Sequence, residues 1–592
     1  MLTFLRAHLG KLSLVKIMSL AFLALIISGC GGSTTVTPTP TSTIQFTRLN
    51  LGIPPQALSA PITGPLPASQ LLHIGVTFKL NQAAIDQWNQ TNKNNHVTQG
   101  TVDATTIANS LGITDAQYRQ IQAFFGLKNV SLTLNKLHTY LAVSAKVATV
   151  NALFHTRIVL HELNGRSFYT PDPSMPPVIP TLIAPYIVSI TGLDNYSTLK
   201  TGVDGVPVPQ ASSKTQSRSG SASCSPDPSS YNTNQISSAY GYDQFWKHNF
   251  QGQGMKINLV EIDSFLPQDI LNYAQCVNYN QKNIRLTTID GLAALDSPSE
   301  STLDLDMLMG LAPQASIVDY QTGLSSEAGV NDALQQIIND NAKNVNSGSV
   351  VSISLGAPES GSTTAGIDAI NSSLQQLVDV EHMTVFVATG DCAAFSSGVF
   401  GDLGVQFPST DPFSVAVGGT EWVPGSNGNL FEAAWSDNSN TSKCSNSWGS
   451  GGGLSSQFKR PQYQTGVGVN NKYSDGARQV PDISALANQV AIYDEGAWTI
   501  VGGTSAATPI WAAGMALVNE AMLKDVHGYY YGPGTFYMAR NSTNRYQAYN
   551  DVQQGNNLFY PATTGWDYAT GWGSPNLVGF FNVLLLDARS SS

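Results

Sequence analysis

The sequence is poor in charge, in cysteine and in histidine. Charged residues make up 12% of its 592 residues, and 29 Lys and Arg against 40 Asp and Glu leave a formal net charge of −11. A chain with so few basic residues lacks the positive surface that nucleic acids require, so we expect no nucleic-acid partner. Low charge density also limits the positive self-repulsion that protonated carboxylates create, which is compatible with acid tolerance.

Long apolar runs are scarce too, and one lies at the N-terminus. Basic residues up to Lys16 precede an apolar run from Ile17 to Ile27, too short to span a bilayer, which predicts a signal peptide over residues 1–30. The run ends at Cys30 in the context Ile-Ser-Gly-Cys, which resembles a bacterial lipobox. A Thr/Pro-rich spacer over 31–43 suits a lipid anchor at Cys30, and a chance cysteine is the alternative. We expect an exported protein, extracellular or at the cell surface.

Four cysteines remain when Cys30 is set aside. They are Cys224, Cys276, Cys392 and Cys444. In an exported chain they predict two disulfides, with three pairings open. Metal binding is the lesser alternative, since no CxxC spacing or neighbouring histidine accompanies them.

The apolar pattern divides the chain into two folded regions. Residues 44–193 alternate short β-rich runs with helical patterns, which predicts an α+β domain. A polar linker over 194–230 follows, and such segments are exposed and easily cleaved. Residues 231–588 predict a second, larger domain.

The second domain contains apolar runs with little alternation, as in buried parallel strands. These runs are Lys256 to Ile262, Ser316 to Tyr320, Val350 to Leu355 and Thr384 to Ala388. Helical patterns over Asn331 to Ala342 and Ile367 to Glu381 lie between them. The order predicts an α/β fold with a parallel sheet flanked by helices, whose sites form beyond the carboxyl ends of the strands.

A small-residue motif from Gly502 to Pro509 precedes a helical run from Ile510 to Leu523. It places Ser505 at a turn that enters a helix. Small neighbours let a substrate backbone approach, and a helix N-terminus favours developing negative charge, so Ser505 is a candidate nucleophile. A helix cap is the alternative for the same residues.

Two acidic residues, Glu300 and Asp304, are four positions apart on a predicted helix. Residues at this spacing share one helix face, so the two carboxylates are a candidate base and its partner. A capping box is the alternative, with Ser297 at N-cap, Pro298 at N1 and Glu300 at N3.

Asp391 follows the apolar run that ends at Ala388, in the text Thr-Gly-Asp. It should therefore lie at the carboxyl edge of the sheet, where functional side chains collect. An aspartate beside a glycine is also a common turn former.

Only three histidines follow the linker, namely His248, His382 and His527. A subtilisin requires a histidine upstream of its serine in an HGT-type context, and none of the three has one. We interpret them as ordinary structural residues.

Taken in order, the glutamate pair, the GD motif and GTSxxxP resemble the sedolisin family, including kumamolisin-like bacterial members. Further matching text is Val351 to Gly356, Phe407 to Ser409, Val417 to Thr420, Gly451 to Ser455 and Val480 to Ser484. The resemblance implies a subtilisin-like fold preceded by a ferredoxin-like propeptide that acts as an intramolecular inhibitor. It also implies an acid-active, self-processing serine endopeptidase of proteins and peptides. In this family pattern Ser505 is the nucleophile, Glu300 its base, Asp304 the partner of Glu300, and Asp391 the oxyanion donor.

The resemblance further implies one structural Ca²⁺ near the C-terminus. Its ligands would be the carboxylates of Asp551 and Asp567 and the carbonyls of Val552, Thr563 and Gly565, all oxygen atoms as this ion prefers. The family usually has glycine where Thr563 stands. Plain loops are the alternative, because Asp and Gly dominate turns.

Two other functions stay open at the level of sequence. A catalytically silent, surface-tethered binding protein could keep the same fold. A subtilisin-like protease would use one of the three histidines, which their replacement would test.

Overall fold

An eight-stranded sheet forms the centre of the C-terminal region. Its order is Ile284–Ile289, Ser316–Thr322, Lys256–Glu261, Val350–Ile353, Thr384–Ala388, Val415–Pro424 and Leu430–Ala434, and Ile483–Leu486 pairs beside Val415–Pro424. The strands are parallel except Leu430–Ala434, which runs antiparallel to its neighbour. The predicted parallel sheet is confirmed. Its four predicted strands match within two residues at either end.

The computed structural model describes most of the chain, in the ranges 44–90, 96–98, 100, 102–126, 129–201, 224–395, 402–425, 428–436, 448–543 and 545–591. The predicted signal peptide, Cys30 and the spacer lie outside these residues, as do Cys444 and positions 202–223 of the linker. Across the described ranges, every helix is too short or too polar to cross a membrane.

Helices cover the sheet, and the longest passes through the core. The α-helices of this region are Thr233–Tyr240, Tyr242–Lys247, Pro267–Cys276, Glu300–Leu311, Glu327–Asn341, Thr364–Gln375, Thr504–Val526, Gly534–Asn541 and Leu577–Ser591. Helix Thr504–Val526 is buried on all sides over most of its length, as expected of a helix that is apolar all round. It packs on the sheet and on helix Glu300–Leu311.

Short elements outside the sheet complete this region. The strands are Asp263–Ser264, Ala294–Leu295, Leu355–Pro358, Gln406–Phe407, Gly453–Lys459, Ala477–Val480, Val490–Asp494, Ala497–Val501, Gly528–Tyr530, Tyr549–Asn550 and Ser574–Pro575. The short helical turns are Gln281–Asn283, Glu359–Gly361 and Gln376–Val380, the last a π-helical turn.

The N-terminal region is an α+β arrangement with its own core. A four-stranded antiparallel sheet has the order Ile187–Thr191, Leu71–Phe78, Tyr140–Lys146, Ser131–Leu134. The remaining strands are Phe46–Arg48, Ile62–Pro65, His96–Thr98, Ile158–Leu163, Arg166–Pro171, Val178–Pro180 and Lys200–Thr201. The helices are Pro55–Leu58, Gln82–Trp88, Ala104–Ile107, Ala108–Leu111, Asp115–Phe125, Val147–Leu153 and Ala184–Tyr186. Helix Asp115–Phe125 starts with a capping box from Thr114 and Gln117.

The N-terminal sheet docks on helices of the C-terminal region mainly through neutral hydrogen bonds. The Asn135 amide donates to Gln335 Oε1 at 2.8 Å, and Trp88 Nε1 donates to the Val380 carbonyl at 3.1 Å. Among the described residues, one ion pair, His73 with Asp290 at 3.0 Å, crosses the same boundary, and the Tyr140 hydroxyl donates to Asp332. The described contacts across this boundary are thus mostly hydrogen bonds rather than ion pairs.

Disulfide bonding agrees with the expectation from the cysteine count. Cys224 and Cys276 form one disulfide. Cys392 is disulfide-bonded as well.

Candidate active site

Helix Glu300–Leu311 begins at Glu300, two residues later than the capping-box alternative required. Its N-cap is Ser299, whose hydroxyl accepts a hydrogen bond from the Thr302 amide at 3.0 Å. The alternative with Ser297 at N-cap and Glu300 at N3 is therefore wrong. Since Glu300 does not close a capping box, its side chain remains available for another task.

The Glu300 side chain points into the protein toward helix Thr504–Val526. Glu300, Asp304 and Ser505 are all fully buried. The pKa of Glu300 is raised well above its ordinary value, first by burial and then by the charge of Asp304, while the neighbouring Ser505 side chain lowers it. The structure thus brings together the three side chains that the sequence placed on two separate elements.

Ser354 connects the two helices at this point. Its hydroxyl donates to Asp304 Oδ2 at 2.8 Å and also lies 3.4 Å from the Ser505 carbonyl oxygen. That carbonyl would ordinarily accept from the amide four residues later, but Pro509 has no N–H to give. Pro509 therefore leaves the Ser505 carbonyl oxygen without its usual helical donor, and the Ser354 hydroxyl lies near it. Through these two contacts Ser354 links Asp304 to the start of the serine helix.

Ser505 lies in the first turn of its helix, just after Gly503. Gly503 adopts φ of 127°, a backbone region that glycine enters without steric cost. Asp391 Oδ1 accepts from the Thr504 amide at 2.7 Å and from the Thr504 hydroxyl at 2.8 Å. The charge of Asp391 also raises the pKa of Glu300, so the carboxyl lies on the same side of the site. Asp391 thus meets the serine turn from the carboxyl edge of the sheet, as its position after strand Thr384–Ala388 predicted.

An extended segment of the N-terminal region lies along the edge of this site. Strand Lys200–Thr201 pairs antiparallel with Leu355 and Gly356, which follow Ser354 directly. Just before it, the Leu199 amide donates to the Ser325 carbonyl at 2.8 Å, and the Leu199 side chain is buried in the large core of the C-terminal region. Residues 198–201 therefore run between two backbone edges next to the serine.

Comparison with known proteins agrees with this arrangement. Residues 63–196 match the family model described as "Pro-kumamolisin, activation domain". The chain is 27% identical to kumamolisin of Bacillus sp. (strain MN-32) over 495 residues, which is 78% of this chain and 82% of that protein. It is 26% identical to sedolisin of Pseudomonas sp. (strain 101) over 494 residues, 78% of either chain. These similarities support membership of the sedolisin family. The chain is accordingly a hydrolase, a serine-carboxyl peptidase made as a zymogen with an N-terminal activation domain.

One solved structure is also similar to this chain. The Pseudomonas sedolisin (serine-carboxyl proteinase) complexed with two molecules of pseudo-iodotyrostatin covers 57% of this chain and 94% of its own, with 26% identity and a TM-score of 0.48.

Three further buried carboxylates surround the sedolisin-type cluster, and sequence reasoning missed them. Glu261 neighbours Asp304 and lowers its pKa against the larger effect of burial. Burial raises the pKa of Asp263 to about 6 and that of Asp319 to about 8. Glu261 ends strand Lys256–Glu261 and Asp263 comes two residues later, so the rule that sites form at carboxyl ends of strands could have found both.

The three histidines lie elsewhere, as the sequence analysis interpreted them. His382 bonds to Asn346 and to Asn89 and stacks on Trp88, and burial lowers its pKa to about 3. His248 and His527 each follow the last turn of a helix. None of them contacts Ser505 through a described hydrogen bond, in keeping with a carboxylate site.

The predicted calcium ligands gather on one loop near the C-terminus. Asp551 Oδ2 accepts from the Gly565 amide at 3.0 Å, and Asp567 Oδ2 accepts from the Thr563 amide at 2.7 Å. Gly565 has φ of 83°, the left-handed region that glycine favours. The described residues contain no group of three or more His, Cys, Asp or Glu side chains placed to hold a metal. The predicted calcium ligands include only two carboxylates, and their other donors are backbone carbonyls, so they would not form a group of that kind.

Buried carboxylates with raised pKa values predict that the precursor is more stable in acid. Such a group binds its proton more tightly in the folded chain, so its contribution is complete below the unfolded pKa and is lost as pH rises through the folded value, at about 6 for Asp263 and about 8 for Asp319. We expect a Ser505→Ala precursor to melt at a higher temperature at about pH 4.5 than at about pH 8, since each pKa unit corresponds to about 1.4 kcal/mol. Calorimetry measures this, and Asp319→Asn should flatten the dependence. A melting temperature that falls steadily from pH 8 to pH 4.5 would contradict the assignment.

Proposed function

We propose that the protein is an acid-active serine-carboxyl endopeptidase that hydrolyses proteins and peptides through a Ser505–Glu300–Asp304 triad and an acyl-enzyme. The observation that carries the proposal is the proximity of the buried Glu300 side chain to Ser505 at the start of a buried helix, with Asp304 one turn further along the helix of Glu300. A serine is a weak nucleophile until a neighbouring base takes its proton, and Glu300 is the base within reach.

The chemistry follows from these positions. Ser505 Oγ attacks the scissile carbonyl carbon while its proton moves to Glu300. The amine leaves with that proton, and an ester on Ser505 remains until water hydrolyses it by the same path. Asp391, held at the serine turn by Thr504, donates a hydrogen bond to the oxyanion when it is protonated. Asp304, bonded to Ser354, orients Glu300 and holds the proton that the pair shares.

Acid operation follows from the buried carboxylates. Burial and Asp304 raise the pKa of Glu300 well above its ordinary value. Glu261 and Asp304 are raised as well. In acid these neighbours are neutral, and the cluster needs to hold only one ionised carboxylate. Each further ionisation at higher pH adds a like charge in a buried site, which is costly.

Ser505→Ala and Glu300→Gln should each abolish turnover of a peptide substrate in an enzyme that still folds. We expect losses of about 10⁴-fold or more in kcat, the range seen when a nucleophile or base is removed from a serine peptidase. His248→Ala is the matched control and should keep full activity. Steady-state kinetics across pH measure this, with product masses to separate internal cleavage from removal of terminal residues.

Wild-type turnover by folded Glu300→Gln would reject the carboxylate triad. Products confined to the chain ends would replace the endopeptidase assignment by an exopeptidase. Loss of activity in His248→Ala, His382→Ala or His527→Ala with a normal fold would favour a histidine base.

Latency follows from the segment 198–201 beside the site. Its pairing with Leu355 and Gly356 uses the backbone edge that an extended substrate would need, so the first domain blocks the cleft as long as it is attached. We propose domain limits of 44–193 for the propeptide, 194–230 for the cleaved linker and 231–588 for the peptidase. Acid triggers the cut by acting on the catalytic cluster, because the described part of the interface holds few ion pairs that acid could break.

Self-cleavage can be measured on purified precursor. At acid pH the wild-type chain should lose the propeptide by a cut between Asn195 and Tyr231, and N-terminal sequencing of the large fragment locates it. The Ser505→Ala precursor should stay intact, because it lacks the nucleophile. A full-length wild-type chain with full activity, or a mature start well inside residues 44–193, would contradict the propeptide assignment.

One structural Ca²⁺ fits the loop of Asp551 and Asp567. Both carboxylates lie against its backbone, Asp567 is buried, and every proposed donor is an oxygen. Asp551, Asp567 and the carbonyls of Val552, Thr563 and Gly565 would hold the ion. When bound, it would tie the two ends of the loop together.

Chelation should lower the melting temperature of the precursor, because a ligand that binds only the folded state stabilises it. Calorimetry with and without chelator measures the shift, and elemental analysis counts the metal. Asp551→Asn should remove both the metal and the response to chelator, while the exposed Asp115→Asn should keep both. An unchanged melting curve in a protein without metal would reject the site.

Export and anchoring complete the proposal. The signal peptide over 1–30 directs the chain out of the cell, and Cys30 is the candidate lipid attachment point. A cut in the linker would then separate anchor from catalyst and release a soluble peptidase.

A further inference from the structure

Asp263 holds the start of the helix that carries Glu300 and Asp304. Its Oδ2 accepts from the Glu300 amide at 2.9 Å, and its Oδ1 accepts from the Ser301 amide at 3.1 Å and the Ser301 hydroxyl at 2.8 Å. The same hydroxyl lies 3.0 Å from the Asp263 carbonyl oxygen. Two amides that begin a helix have no partner within it, so a carboxylate here supplies both at once. The Ser299 hydroxyl accepts from the Thr302 amide, so Ser299 and Asp263 cap the start of this helix separately.

Asp263 also belongs to the charged surroundings of the proposed base. It is fully buried, and after Asp304 it is the next charge that raises the pKa of Glu300. The titratable groups that act with it from the packed elements are carboxylates. They are Glu261 on the preceding strand, Asp319 on the neighbouring strand, Asp296 in the loop before the helix, and Glu300 and Asp304 on the helix.

We propose that Asp263 is a positioning residue of the catalytic site: it fixes the backbone of Glu300 at the first turn of the helix, beside Ser505. The role rests on the proposed function of Glu300 as base. Asp263 touches no reacting atom. It acts through the first turn of the helix and through its charge.

A purely structural cap would predict something different. Loss of a cap lowers stability by roughly 1 kcal/mol and leaves the titration of a distant base unchanged. A positioning residue changes turnover and the pH at which turnover begins. The two roles therefore separate in the pH profile.

The test uses the full-length chain, matured in acid, with Asp263→Asn and Ser301→Ala. Asp263→Asn keeps one oxygen acceptor and removes the charge, so Glu300 should ionise more easily. We expect the acid limb of kcat/KM to move to lower pH by about one unit, as nearby charges do. We expect kcat to fall about ten- to a hundredfold with little change in KM, because a shifted base costs rate rather than binding. Ser301→Ala removes one bond to Asp263 and should give the same changes, only smaller.

Asp411→Asn is the matched control. Asp411 is also buried and also accepts from a backbone amide, that of Phe413 at 2.9 Å, but it is bonded to Asn371 rather than to the site. It should lose thermal stability and keep the wild-type pH profile.

Three outcomes decide the matter. If folded Asp263→Asn keeps the wild-type kcat and acid limb while Glu300→Gln is inactive, the positioning role of Asp263 is rejected. The role of Glu300 as base then stands. Full activity of Glu300→Gln rejects the base and this role with it. If Asp263→Asn does not fold, Ser301→Ala decides, and an unmoved acid limb in that variant overturns the proposal.

Discussion

The burial of several carboxyl groups around one serine is the constraint on which the site depends. Glu300, Asp304, Glu261 and Asp319 are fully buried within one cluster, and burial is the largest influence on the pKa of each. Such a cluster is tolerable when hydrogen bonds hold its members and when most of them keep their protons. The Ser354 hydroxyl donates a hydrogen bond to Asp304, and the Ser505 side chain lies beside Glu300. The fold and the proposed acid chemistry thus arise from the same desolvated groups.

The N-terminal region enters the same site through its backbone. The pairing of Lys200–Thr201 with Leu355 and Gly356 needs only main-chain hydrogen bonds, so it places few demands on the sequence of the segment. The wider interface likewise relies on neutral side chains such as Asn135 and Gln335. Latency of this kind ends when the chain is cut, because the edge is then held by a separate fragment that can leave.

Sequence periodicity predicted the elements that local pattern determines. The buried strand Thr384–Ala388 has the expected bounds, because an apolar run marks it. The helix before Asp304 was misjudged at its first turn. Ser297 and Ser299 are equally good caps in sequence, and only the fold decides that Ser299 begins the helix.

In the candidate site too, some residues could be predicted from local spacing and others only from the assembled fold. Spacing placed Glu300 and Asp304 on one helix face and Ser505 at another helix start, and these predictions needed only local geometry. The contributions of Asp263 and Glu261 come from the end of a strand more than 35 residues before Glu300, so the spacing within the helix does not report them. The raised pKa of Glu300 has the same origin, because desolvation is a property of the assembled core.

The state of the Glu300 carboxyl is the measurement that tests the account most directly. Carbon NMR of Ser505→Ala precursor with labelled glutamate side chains would follow each carboxyl through its titration. The account predicts one glutamate signal with a midpoint clearly above the ordinary value for glutamate, absent from a Glu300→Gln variant and moved to lower pH by Asp304→Asn. A Glu300 signal that titrates at or below the ordinary value, unaffected by Asp304→Asn, would contradict it.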